Sequence, residues 1–236
     1  MRVGVVGYSG YIGNLICQTI SASGHDLIRI EHSHYLDTDL ILDIVFDCSF
    51  PKKYRNHKII NQYFNYLKQR VKHFQNFDVP YIYMGSHSSK SISISNYGRS
   101  KLFAEQIVFR NGGIILRLGL VKSLSNPGGR FEELQTLLQK LPIVPVLHHD
   151  WAPVIITHAD EVCQAALRIL ANPQIIEKEV TPISYEVSFS EIQLQLIMRK
   201  KAVHLTSQTT AILLGFVRFF PIGKLDNLKS IAHKIR

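Results

Sequence analysis

Tyr97 and Lys101 stand four residues apart in the run Tyr97-Gly98-Arg99-Ser100-Lys101, which puts a phenol and an ammonium on one face of a helix. A phenol near its ordinary pKa of about 10 is a poor base at neutral pH, and a neighbouring cation favours the phenolate that accepts or delivers a proton. Ser86 closes the run Val79-Pro80-Tyr81-Ile82-Tyr83-Met84-Gly85-Ser86. That run reads as a strand which starts after a proline and carries the serine to the carboxyl edge of a sheet. The chemistry these three groups can do is proton transfer at an oxygen that a hydroxyl holds in place. Taken alone, the Tyr/Lys pair reads equally as an exposed helix start with one aromatic and one surface lysine.

A second constellation lies at the start of the chain. The apolar Val3-Gly4-Val5-Val6 leads into Gly7-Tyr8-Ser9-Gly10-Tyr11-Ile12-Gly13, and then into a helical pattern through Ile12, Leu15, Ile16 and Ile20. Strand, glycine turn and helix in this order let the backbone approach a pyrophosphate, whose charge sits at the amide-rich helix start. Gly7, Gly10, Tyr11, Ile12 and Gly13 are therefore the expected cofactor-binding residues, although glycines also punctuate many strand-to-helix connections for structural reasons alone. The next strand, Asp26 to Ile30, ends at Glu31, about where an acceptor for ribose hydroxyls belongs. A carboxylate there repels a second phosphate and favours NAD. Arg29 and His32 beside it keep NADP open.

With these residues in view, the chain resembles the short-chain dehydrogenase/reductase superfamily, in its extended branch of NAD-dependent nucleotide-sugar epimerases, dehydratases and reductases. The resemblance covers most of residues 1 to 170. It rests on the glycine turn, on Ser86 after an aromatic-apolar-aromatic run, on Tyr97 and Lys101 followed by Leu102-Phe103-Ala104-Glu105, on the strand Ile114 to Gly119, and on Asp160 at the acidic start of a late helix. It implies an α/β fold with a Rossmann-like doubly wound parallel sheet. It also implies hydride transfer at a sugar carbon, with Tyr97 as acid/base, Lys101 holding the cofactor ribose and tuning Tyr97, and Ser86 bonded to the reacting oxygen.

Three departures shape that expectation. Between Glu31 and the strand Asp43 to Cys48 lie only the polar residues His32 to Asp39 and a short apolar turn, where a complete doubly wound half has a helix and a further strand. The crossover after the second strand is therefore expected to be shortened. The connection from Ser86 to Tyr97 is also short. Dehydratases of the branch carry an acidic pair just after the serine, but His87 and Ser88 stand here, so epimerisation or carbonyl reduction is favoured over dehydration.

The 236 residues, 46% of them hydrophobic, suit one compact core. The expected division is a dinucleotide-binding core over 1–120, a small C-terminal substrate lobe with late core elements over 121–199, and a basic, apolar tail over 200–236. Tyr54 to Phe77 reads as a long packing helix, its apolar stripe favouring a core or subunit face over a nucleic-acid surface. Asn126-Pro127-Gly128-Gly129 reads as a turn before a helix from Arg130 to Leu138. Asn126 and Arg130 are the substrate-binding candidates, Arg130 because a guanidinium pairs with a diphosphate; a solvated first-turn arginine is the competing reading. His148-His149-Asp150 lacks the spacing of a metal site, and no metal is expected. Cys17, Cys48 and Cys163 in apolar contexts read as reduced thiols of a cytoplasmic protein, and Met1 leading directly into a strand leaves the expectation of no signal segment.

The tail runs basic, then apolar from Ala211 to Val217, then basic again. It is too short and interrupted for a spanning helix of about 20 apolar residues. It reads as a helix covering the domain or a homodimer face, with peripheral contact to anionic lipid as the alternative. The net charge of +9 suits either, and suits an acidic nucleotide-sugar substrate. The rival to an enzyme of surface-polysaccharide biosynthesis or related sugar metabolism is a non-catalytic dinucleotide-binding scaffold or regulatory protein of the same fold.

Overall fold

The computed structural model describes residues 1–31, 41–90, 95–123, 128–140, 144–146, 153–173, 177–188, 190–193 and 202–204. Its centre is a six-stranded parallel sheet in the order β2-β1-β3-β4-β5-β9. The strands are β1 (Arg2–Val6), β2 (Asp26–Ile30), β3 (Ile44–Asp47), β4 (Tyr81–Ser86), β5 (Ile114–Leu118) and β9 (Glu179–Val180). In β1, β3, β4 and β5 nearly every residue is buried, as expected of parallel strands covered on both faces.

Alternation along those strands feeds two cores. Val3, Val5, Ile44, Phe46, Ile82 and Met84 face one cluster, which also holds the apolar stripes of α1 (Tyr11–Ala22) and α5 (Ala159–Ala171). Val6, Val45, Tyr81 and Tyr83 face the other, under α2 (His57–Asn76) and α3 (Asn96–Arg110). Helix starts are set locally. The Asn56 side chain accepts from the amides of Lys58 and Ile59 at 3.0 and 3.2 Å, and the Ser95 hydroxyl accepts from Gly98 N at 3.0 Å, so each cap satisfies amides that have no partner within the helix.

The connection from β2 to β3 spans residues 31–43, of which 32–40 lie outside the described residues. β3 pairs directly with β1, and the described residues between β2 and β3 contain neither helix nor strand. Beyond β5, β6 (Leu120–Lys122) pairs with β8 (Pro153–His158), which pairs in turn with β10 (Ser184–Ser188). Phe131 and Leu138 of α4 (Gly129–Lys140) pack there against Ile156 and Ile192. β7 (Val144–Val146) and β11 (Ala202–His204) form a separate parallel pair. Among the described residues no helix is long and apolar enough to cross a membrane. Asn126, His148 to Asp150 and the apolar tail from Ala211 lie outside the described residues.

Candidate active site

The glycine turn joins β1 to α1 at the carboxyl edge of the sheet, and the fold requires two of its three glycines, for different reasons. Gly7 has φ +72°, and a Cβ there would lie 2.7 Å from Ser49 N. A Cβ on Gly13 would lie 2.1 Å from the Gly7 carbonyl oxygen, so the close approach of helix to turn excludes any side chain. Gly10 differs. Among the described residues its absent Cβ meets only the Gly7 oxygen, at an ordinary 3.4 Å. The described residues do not fill the space outside Gly10, and the amides of the first turn of α1, from Tyr11 to Gly13, have no acceptor within the helix. A cradle of this kind suits the pyrophosphate of a dinucleotide. The Tyr11 ring lies against Gly128 and Gly129, where added Cβ atoms would come within 2.6 and 2.7 Å of it.

Glu31, just past β2, receives the Tyr8 phenol as a hydrogen-bond donor. That bond raises the pKa of Tyr8. The Arg29 guanidinium lies 5.9 Å from the centre of the Tyr8 ring, so the carboxylate, the phenol and a cation meet beside the glycine turn.

Tyr97 and Lys101 both lie in the first half of α3 and project toward the ends of β3 and β4. Lys101 is buried, and its Nζ donates to the Tyr83 hydroxyl at 3.1 Å and to the Met84 carbonyl at 2.7 Å. The Phe50 and Tyr83 rings flank the ammonium at 4.4 and 4.7 Å from their centres. Burial lowers the lysine pKa, opposed by the fields of Tyr97 and Glu105. The Tyr97 ring meets Phe50 and Tyr54 edge-on at 5.5 and 5.6 Å. The Arg130 guanidinium, from the start of α4, covers the Tyr97 ring at 3.9 Å, a separation at which cation and ring attract. Sequence spacing thus brings Tyr97 and Lys101 to one aromatic pocket, and the fold adds Arg130 to it.

Ser86, the last residue of β4, has different company. Its hydroxyl accepts from Ser88 N at 3.2 Å and caps a short 3₁₀ turn, His87–Ser89. Its amide donates to Glu105 Oε1 at 2.9 Å, and its carbonyl accepts from Arg117 Nη1 at 3.1 Å. Glu105 also accepts from the Ser89 hydroxyl at 2.6 Å and pairs with Arg117 at 2.7 Å. Arg117 continues to Glu179 through Nε and Nη2 at 3.0 and 3.1 Å. Glu105 and Arg117 therefore fix the backbone of the Ser86 turn, and sequence reasoning missed both roles. One signal was there: Glu105 follows Lys101 by four residues as Lys101 follows Tyr97, so all three share one face of α3. Arg117 inside an apolar strand was the other.

No protein-family model matches the sequence, and no curated protein matches it. Solved structures do match its fold. A dTDP-4-dehydrorhamnose reductase from Clostridium acetobutylicum is similar with a TM-score of 0.69 at 11% identity, over 87% of this chain and 84% of that one. The shared fold is a Rossmann-like α/β fold built on a parallel sheet. The dTDP-4-dehydrorhamnose reductase of Bacillus anthracis, in complex with NADP, matches 100% of this chain and 99% of its own with a TM-score of 0.65 at 14% identity. A UDP-N-acetylglucosamine 4-epimerase from Bacillus cereus matches 100% of this chain and 96% of its own with a TM-score of 0.61 at 12% identity.

Proposed function

We propose that this chain is an NAD(P)-dependent oxidoreductase or epimerase of the short-chain dehydrogenase/reductase superfamily, acting on a nucleotide-linked sugar. The observation that carries the reading is the convergence at one sheet edge of the open glycine cradle and the Tyr97/Lys101 pair. The cradle residues Gly7, Gly10, Tyr11, Ile12 and Gly13 would hold the pyrophosphate, and Glu31 would accept from the adenosine ribose, favouring NAD. The bound dinucleotide supplies hydride transfer. Tyr97 then takes or returns the proton of the sugar hydroxyl, because loss of hydride from carbon is matched by loss of a proton from the adjoining oxygen. Lys101 has two of its three N–H groups engaged with Tyr83 and Met84, and the third would meet a ribose hydroxyl. Ser86 would hold the reacting oxygen. Arg130, now over Tyr97, would turn to the substrate diphosphate, and Asn126 is the other substrate-binding candidate.

A non-catalytic dinucleotide-binding protein is the second reading. It is favoured by the Ser86 hydroxyl being used as a turn cap and by the Arg130 guanidinium lying over Tyr97. Titration with NAD, NADH and NADPH, followed by turnover assays on keto-sugar and epimerisable nucleotide sugars, separates the two. Tyr97→Phe is expected to keep dinucleotide binding and lose turnover by about 10²- to 10⁴-fold; unchanged turnover would remove Tyr97 from the chemistry. Gly10→Ala is expected to fold and to lose dinucleotide binding, since its Cβ points into the cradle rather than into protein. Retained binding would show that the cradle is purely structural.

A further inference from the structure

The Lys101 ammonium is the outer end of a buried hydrogen-bond chain that nothing in its sequence neighbourhood suggests. Lys101 Nζ donates to the Tyr83 oxygen at 3.1 Å. The Tyr83 and Tyr63 oxygens are 3.3 Å apart, and the Tyr63 oxygen is 2.9 Å from the Ser49 carbonyl. A phenol has one proton, and a carbonyl can only accept. The Tyr63 proton therefore goes to Ser49, and the proton between the two phenols belongs to Tyr83. Every link then points the same way: Lys101 to Tyr83, Tyr83 to Tyr63, Tyr63 to the Ser49 carbonyl.

The far end is anchored. Asp47 accepts from Ser49 N at 2.8 Å, from the Ser49 hydroxyl at 2.5 Å, from Arg70 at 2.8 Å and from the Tyr81 phenol. Both Asp47 and Arg70 side chains are wholly buried, which leaves Ser49 no freedom to move.

We propose that Tyr83 is the positioning residue for Lys101, the outermost link of a one-way hydrogen-bond chain that ties the ammonium through Tyr63 and Ser49 to the buried Asp47–Arg70 pair. The proposal rests on the reading of Lys101 as the cation beside Tyr97. As an acceptor that donates onward, the Tyr83 oxygen is a better partner for an ammonium than an isolated phenol, because hydrogen bonds in a chain polarise one another. The charged and titratable groups around Lys101 come from each surrounding element: Tyr97 and Glu105 from α3, Arg130 from α4, Asp47 from β3, Tyr83 from β4 and Cys48 from the turn after β3. Of these, Tyr83 is hydrogen-bonded to the ammonium, and removing its hydroxyl changes no net charge.

The test is the pH titration of the Lys101 side chain by NMR, in full-length protein carrying ¹³C,¹⁵N-lysine, without cofactor, with the resonance assigned by its loss in Lys101→Arg. Tyr83→Phe is expected to lower the titration midpoint by about 0.5–1 pH unit, since the ammonium loses a partner that favours the charged form. Tyr63→Phe is expected to lower it by less, because it removes only the onward acceptor. A folded Tyr83→Phe with an unmoved midpoint overturns the proposal, even if the variant has lost thermal stability. If Tyr83→Phe does not fold, Tyr63→Phe decides: a lowered midpoint supports the chain and an unmoved one overturns it. Shifts in a protein that binds no dinucleotide would keep the chain and remove the enzymatic reading. Unmoved midpoints in a protein whose turnover depends on Tyr97 would do the reverse.

Discussion

Asp47–Arg70 and Glu105–Arg117 are ion pairs of nearly equal length, 2.8 and 2.7 Å, and lie on opposite sides of β4. The first is sealed, with both side chains at zero exposure, and its hydrogen bonds run among β3, α2 and β4. The second opens outward, since Arg117 also binds Glu179, which is 34% exposed and pairs with Lys90 at 2.5 Å. Charge inside a fold costs desolvation that only saturated geometry offsets. Asp47 meets that requirement with four donors on two oxygens. The Arg117 cluster meets it partly with solvent at Glu179, and so remains adjustable. One cluster is built to hold still the floor beneath Lys101; the other holds the Ser86 turn by a clamp that solvent can reach.

That contrast breaks most clearly at Arg70. Arg70→Met leaves a fully buried carboxylate without its cation and is expected to cost about 3–5 kcal/mol in urea unfolding. Arg117→Met is expected to cost about 1–3 kcal/mol, because Glu105 keeps Ser86 N and Ser89, and Glu179 keeps Lys90 and water. Equal losses would erase the distinction between a sealed and an open cluster.

The smallest effect is expected at Glu179. Its hydrogen bond to Arg117, and then Lys90, hold its carboxyl down at about 2 from an ordinary 4.5. A lowered carboxyl pKa stabilises the fold above the unfolded value and loses that contribution as pH falls. Glu179→Gln is therefore expected to be less stable than the native chain by under about 1 kcal/mol at neutral pH, given its exposure, and the gap should close between about pH 4.5 and 2. A gap that persists at pH 2 would assign the effect to packing instead.

Local features of this chain were legible without its structure because they have a short period. The glycine turn, the buried strands and the face shared by Tyr97 and Lys101 each depend on residues within a few positions of one another. The short connection of residues 31–43 between β2 and β3 was legible from a missing pattern there. The use of Ser86 as a turn cap was not, because a serine at a strand end is compatible with several partners and only the position of Ser88 chooses among them. Arg70 was hidden in a helix face whose neighbours are apolar, and its partner Asp47 lies 23 residues away.

What the sequence determined by itself is the order of strands and helices from β1 to β5, the backbone freedom at Gly7 and the alignment of Tyr97, Lys101 and Glu105 along α3, since each follows from steric rules and from helical or strand periodicity. The tertiary structure alone decided which groups meet those residues: Tyr83 and Phe50 at Lys101, Arg130 over Tyr97, and Arg117 at Glu105. Such contacts join elements through the sheet, and no repeating pattern marks a long-range partner; burial does, because a charge or phenol taken out of water must find its complement wherever the fold brings one within reach.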